Sequence, residues 1–110
     1  MTDHRSKSRE LARMVARRDE TRQLIAIITD SLRRKAERST LADRPKTRAL
    51  GRGTSTWTPA DEQHFRAALA RLHERNRPEL ARLKGRLERQ ESAIAALRDR
   101  LGVNQPDAAH

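Results

Sequence analysis

A chain of 110 residues has room for one small domain, and with 35% apolar residues and only Trp57 and Phe65 as aromatics it lacks the material for a thick core. The 36% of charged residues and the formal net charge of +10 point to a polyanionic partner. The absence of cysteine excludes a disulfide framework, thiol catalysis and cysteine-ligated zinc.

The first predicted element is a basic helix within residues 1–39. Ser6 or Ser8 caps it, and it runs to about Arg38. Leu11, Met14, Val15, Ile25, Ile28 and Leu32 recur on one side at helical spacing. Arg18 and Thr21 interrupt that seam. Leu24 and Ile27 widen the apolar face farther on, so firm packing is expected in the second half. The first half, Arg5 to Arg22, is expected to fray or to wait for a partner.

Residues 40–57 read as a flexible basic linker. Asp43-Arg44-Pro45 stops helical propagation, because the residue before proline is driven out of the α region. Gly51-Arg52-Gly53-Thr54-Ser55-Thr56 is polar and rich in breakers.

Residues 58–102 form the second predicted helix. Thr58-Pro59-Ala60-Asp61-Glu62 supplies a threonine cap, proline at the first helical position and acids in the first turn. Trp57 stands ready as a staple onto that turn. Trp57-Thr58 followed by acids resembles the opening of a Myb or SANT helix over about one turn. The later core tryptophans of that family are missing, so the segment is read as a capping motif. Phe65, Leu69 and Leu72 begin the apolar seam, and a kink or break is expected near Pro78. Beyond it, Leu80, Leu83, Leu87, Gln90, Ile94, Leu97 and Leu101 alternate spacings of three and four. A stripe that narrow needs another helix alongside. Gly102 supplies a left-handed C-cap, and residues 103–110 are expected to be disordered.

Charge is uneven along these segments. Residues 1–39 carry a net +5, residues 40–57 a net +3, and residues 58–110 a net +2. Only Lys7, Lys35, Lys46 and Lys84 are lysine; the other 21 basic residues are arginine. GC-rich coding also produces that bias, so the net charge is the weightier observation.

Arg5, Arg9, Arg13 and Arg17 are spaced by four and wind slowly over one helix face, about 18 Å long at 1.5 Å per residue. Arg18 and Arg22 broaden this stripe, which suits a phosphate backbone. The competing reading is a solvated face partly neutralised by Glu10, Asp19 and Glu20. In the linker, Arg44, Lys46, Arg48 and Arg52 extend the basic character. Asn76 reads as a cap for the helix restarting at Pro78, and Gln90 as a polar seam position.

Catalysis finds no support in the sequence. His64 and His73 are nine apart, which does not put two ligands on one helix face, and no nucleophile–base pattern or phosphate-binding glycine loop is present. No cofactor, metal or small-molecule substrate is expected. The longest apolar run, Leu24 to Ile28, is far short of the roughly 20 residues of a spanning helix, and no secretory signal is visible. The expected location is cytoplasmic.

The expected architecture is all-α: two long helices in a helical hairpin or extended coiled coil, the second kinked near Pro78. The expected function is a non-enzymatic coiled-coil protein binding nucleic acid, DNA before RNA, through arginine–phosphate contacts. In composition it resembles small regulators and accessory factors of mobile elements. The seam Leu80–Leu101 is expected to make a homo-oligomer or to meet a helical protein partner. The alternative is a protein–protein adaptor, assembly factor or inhibitor that docks this seam on a larger partner.

Overall fold

The computed structural model describes residues 2–44 and 56–102. Among the described residues there are three helices and no strand: α1 (Thr2–Ala42), α2 (Pro59–Arg75) and α3 (Arg77–Leu101). The class is all-α, as the sequence predicts, but the helix count is three rather than two. The linker residues 45–55 and the tail 103–110 lie outside the described residues.

The extra helix arises at Asn76. Its backbone (φ −101°, ψ 7°) leaves the helical region for one residue, and α3 restarts at once. Pro78 becomes the second residue of the new helix, where its missing N–H leaves no intrahelical bond unmade. Asn76 does not cap the helix that follows, as its sequence context suggested. Its Nδ2 donates back to the Leu72 carbonyl at 2.7 Å, and its N–H reaches the carbonyls of Leu72 and His73 at 3.1 and 3.2 Å. It therefore closes α2. At the far end Gly102 takes the left-handed conformation (φ +76°) and donates to the Asp99 carbonyl at 3.1 Å, the expected C-cap.

The start of α2 follows from its sequence. Thr58 Oγ1 accepts from the Asp61 N–H at 3.1 Å, and Asp61 Oδ2 accepts from the Thr58 N–H at 2.9 Å, a reciprocal capping box. Trp57 packs edge-on against Phe65, with centroids 5.9 Å apart, and donates from Nε1 to Glu62 at 2.9 Å.

The helices sort into two compact units. The first joins α1 up to Ile25 with α3 from Leu80. Its core is aliphatic: Leu80, Leu83, Ile94 and Leu97 are buried. Of the two expectations for the first half of α1, fraying or waiting for a partner, neither describes it here: it packs with α3 of the same chain. The two residues that interrupt the apolar pattern are themselves buried. Thr21 turns its hydroxyl to the Arg17 carbonyl at 3.2 Å, which leaves its methyl for the packed face. Arg18 places its aliphatic stem in the interior, with its side chain only 4% exposed, and its guanidinium meets Asp19 at 2.8 Å and Glu91 at 3.7 Å.

The second unit joins α1 from Ala26 with α2 and the first residues of α3 to Glu79. Its buried apolar residues are Leu32, Ala36 and Ala68, and two of the three are alanine. Small residues on facing helices let the backbones approach closely. The pairing of α1 and α2 is antiparallel: Arg44 meets Asp61 at 3.2 Å, and Ser39 lies 3.4 Å from His64 one turn farther in. Helix α1 continues to Ala42, beyond the predicted end near Arg38. The buried Thr40 satisfies its own hydroxyl on the Ala36 carbonyl at 2.8 Å.

Candidate functional site

The arginine stripe holds its predicted geometry. Arg5, Arg9, Arg13 and Arg17 are all exposed on α1, and none forms an ion pair among the described residues. Of the three acids expected to neutralise the stripe, Glu10, Asp19 and Glu20, Asp19 is engaged elsewhere, 2.8 Å from Arg18 and 3.9 Å from Arg22. Four cations along one helix without local carboxylate partners form a surface that attracts anions.

The other predicted contacts divide. Arg18 is buried in its pairs with Asp19 and Glu91 and presents no guanidinium to a ligand. Arg22 is half-exposed and holds Glu91 at 2.7 Å. Arg44 is also interior: its side chain is 8% exposed, facing Asp61 at 5%, and it donates to the Thr56 carbonyl at 3.3 Å as well. Arginines read from the sequence as ligand contacts are therefore structural at two positions. Lys46, Arg48 and Arg52 lie outside the described residues.

The seam residues separate too. Leu80, Leu83, Ile94 and Leu97 are buried within the single chain, while Leu87, Gln90 and Leu101 are half-buried.

Each unit has a cleft beside its packed face among the described residues. In the first unit Met14 and Arg17 of α1 face Arg86, Arg89, Gln90 and Ala93 of α3 around a space of about 270 Å³. Its exposed lining is mostly carbon, and the three guanidiniums form no ion pair among the described residues. Arg89 folds back across Gly85, where an added Cβ would meet its guanidinium at 3.4 Å. Gln90 Oε1 is buried and accepts no hydrogen bond. In the second unit Lys35, Arg71 and Arg75 border a cleft of about 200 Å³ together with Ser39, Ala68 and Leu72, and its lining is more polar.

Sequence reading missed Arg86 and Arg89. A signal was present, since each directly precedes a seam residue, Leu87 or Gln90, and so borders the packed face. Arg71 and Arg75 carry a similar signal in their spacing of four.

The described residues also bring Ser39, His64 and Asp43 together. Both Ser39 Oγ (3.4 Å) and Asp43 Oδ2 (3.2 Å) approach the same ring nitrogen, Nε2. A nucleophile relay needs the hydroxyl on one imidazole nitrogen and the acid on the other, so this cluster is not one. No group of three or more metal-ligating side chains is assembled among the described residues, and no helix there is long and apolar enough to cross a membrane.

Comparison of the chain with protein-family models, with curated proteins and with solved structures finds no match.

Proposed function

We propose that the chain is a non-enzymatic nucleic-acid-binding protein, DNA before RNA, that grips phosphates through exposed arginines. One observation carries the reading: Arg5, Arg9, Arg13 and Arg17 stand exposed along about 18 Å of α1 with no carboxylate partner among the described residues. Duplex DNA presents its phosphates at comparable intervals on a rigid rod, and arginine's planar fork donates to two phosphate oxygens at a time. Binding then proceeds by counterion release with little base readout. Arg18 and Arg44 hold the fold in this scheme, and Arg22 is shared between Glu91 and solvent. Regulation or accessory work on a mobile element suits such a protein.

The test is fluorescence anisotropy of the full chain on labelled DNA across a salt series. The triple substitution Arg5→Gln, Arg9→Gln and Arg13→Gln removes three phosphate contacts. The slope of log affinity against log salt should fall by about 2.7 on duplex. An unaltered slope and affinity would remove the stripe from the interface.

A second reading, an adaptor between proteins, is favoured by a different observation. Ile27 is 54% exposed and Leu24 42% exposed on α1, in a chain with few large apolar residues to spare. Four of the six seam leucine and isoleucine positions are already covered within the chain, so an adaptor or a self-associating form would use Leu24 and Ile27 first. Sedimentation of the wild type against Ile27→Asp reports on it: an unchanged mass in both removes self-association through this face.

A further inference from the structure

The first unit's cleft has chemistry that the stripe lacks. Its lining brings Arg17, Arg86 and Arg89 of two helices together with Met14 and Ala93, and the surface they present to the cleft is mostly carbon. A bare phosphate site has no use for an apolar lining. A flat aromatic ring does: methionine sulfur makes favourable contacts with ring edges, and guanidinium planes stack on ring faces. The space, about 270 Å³, lies just below the range of ligand-sized cavities, which suits one ring rather than a folded ligand. Gln90 adds an independent observation. Its buried Oε1 lacks a donor, a costly state for a side chain that borders a cleft. Turning the amide toward the cleft would offer it the donor and acceptor edge of a nucleobase.

We propose that the Arg17–Arg86–Arg89 cleft takes one unstacked nucleotide of a single-stranded nucleic acid, the base over Met14 and Ala93 and the phosphate between the arginines. The proposal rests on the nucleic-acid reading above and sharpens it: bases are available in this way in single strands, loops and ends, not inside a duplex. The stripe supplies length and charge, and the cleft supplies the preference for an exposed base.

The experiment compares three labelled probes on the full chain: a short oligothymidylate, an abasic strand of the same length, and a duplex. The wild type should bind oligothymidylate about tenfold more tightly than the abasic strand, the effect expected of one stacked base. The double substitution Arg86→Gln and Arg89→Gln should abolish that preference. Between about 50 and about 200 mM salt, its loss of affinity for oligothymidylate should be about sevenfold smaller than the wild type's, as for two lost phosphate contacts. Arg33→Gln with Arg34→Gln removes the same charge from arginines engaged with Asp30, and should leave the preference in place. Ala93→Leu, a substitution at an exposed helical position, fills the cleft. It should weaken oligothymidylate and spare the abasic strand, and circular dichroism checks that it folds.

Equal wild-type affinity for oligothymidylate and the abasic strand, or a preference that survives loss of Arg86 and Arg89, overturns the cleft assignment while leaving phosphate binding intact. No binding of any probe at low salt overturns the cleft and the nucleic-acid reading together.

Discussion

The two units solve the same problem, holding a pair of helices together with little apolar material, by different means. The first uses volume: Leu80, Leu83, Ile94 and Leu97 fill its interior, and Leu97 is 1% exposed. The second has small residues, Ala36 and Ala68, where the first has leucine, and it adds polar fastening at one end. There Asp61 serves two purposes at once, as the acid of the α2 capping box and as the partner of the buried Arg44. The lesson is that a thin helix pair can be specified by bulk along its length or by a latch at its end. The surface follows the same division. In the second unit Asp30, Glu37 and Glu62 engage Arg33, Arg34 and Arg66. In the first, the stripe and cleft arginines form no ion pair among the described residues.

The sharpest way to break this comparison is to remove the latch. Asp61→Ala deletes the capping acid and leaves Arg44 as a buried charge that has lost a partner. Loss of one partner from a buried pair costs about 3–5 kcal/mol. Urea unfolding followed by helicity should show a midpoint lowered accordingly, with hydrogen-exchange protection lost first around Thr58–Phe65. Protection lost first around Ile94 and Leu97 instead would show that the polar latch is not what holds the second unit.

Leu97→Ala probes the other mechanism and should cost about 2–5 kcal/mol, depending on how far the surroundings collapse. Here the early loss of protection belongs to the seam of α3. A cost under about 1 kcal/mol would mean that the aliphatic interior contributes little, and the contrast between bulk and latch would fail.

These two sites differ in how readily the sequence reveals them. The heptad leucines, the Thr58-Pro59 start and the Gly102 stop are local signals, legible because each depends on neighbours three or four residues away. The burial of Arg18 is not local. An arginine fits a seam only if a carboxylate waits on the facing helix, and Glu91 is far along the chain. The same holds for Arg44, whose partner Asp61 looked like a capping acid and no more. In the sequence both arginines look like ligand contacts, because it displays charge without its depth. The stripe was legible since spacing by four fixes a face whatever the tertiary fold. The cleft was not, because joining Arg17 to Arg86 and Arg89 takes the pairing of two distant helices. The break at Asn76 was half legible: Pro78 announced a disruption, and the side-chain bond to Leu72 decided that one helix became two.

The smallest expected effect concerns the surface pairs that set the second unit apart. The hydrogen bond from Arg33 holds the Asp30 carboxyl below its ordinary value of 3.8, assisted by the charge of Arg34. The bonds from Arg66 and then Trp57 hold Glu62 below its ordinary 4.5. A carboxylate whose pKa is depressed by folding stabilises the fold at any pH above its unfolded value, and the contribution disappears as pH falls through the folded value. Stability should therefore be flat from neutral pH down to about 5 and then decline below the ordinary carboxylate range as these two groups protonate. Both carboxylates are solvent-facing, so the effect is modest and salt should weaken it. Arg66→Gln removes the principal cause at Glu62, so the variant should be slightly less stable at neutral pH and its acid decline shallower than the wild type's. Trp57 should preserve part of the shift, and Trp57→Phe in the same background should remove more of it by deleting the indole donor while keeping a ring against Phe65. If the acid limbs of all three proteins superimpose, the exposed pairs are ornaments of the surface, and the second unit stands on Asp61 and Arg44 alone.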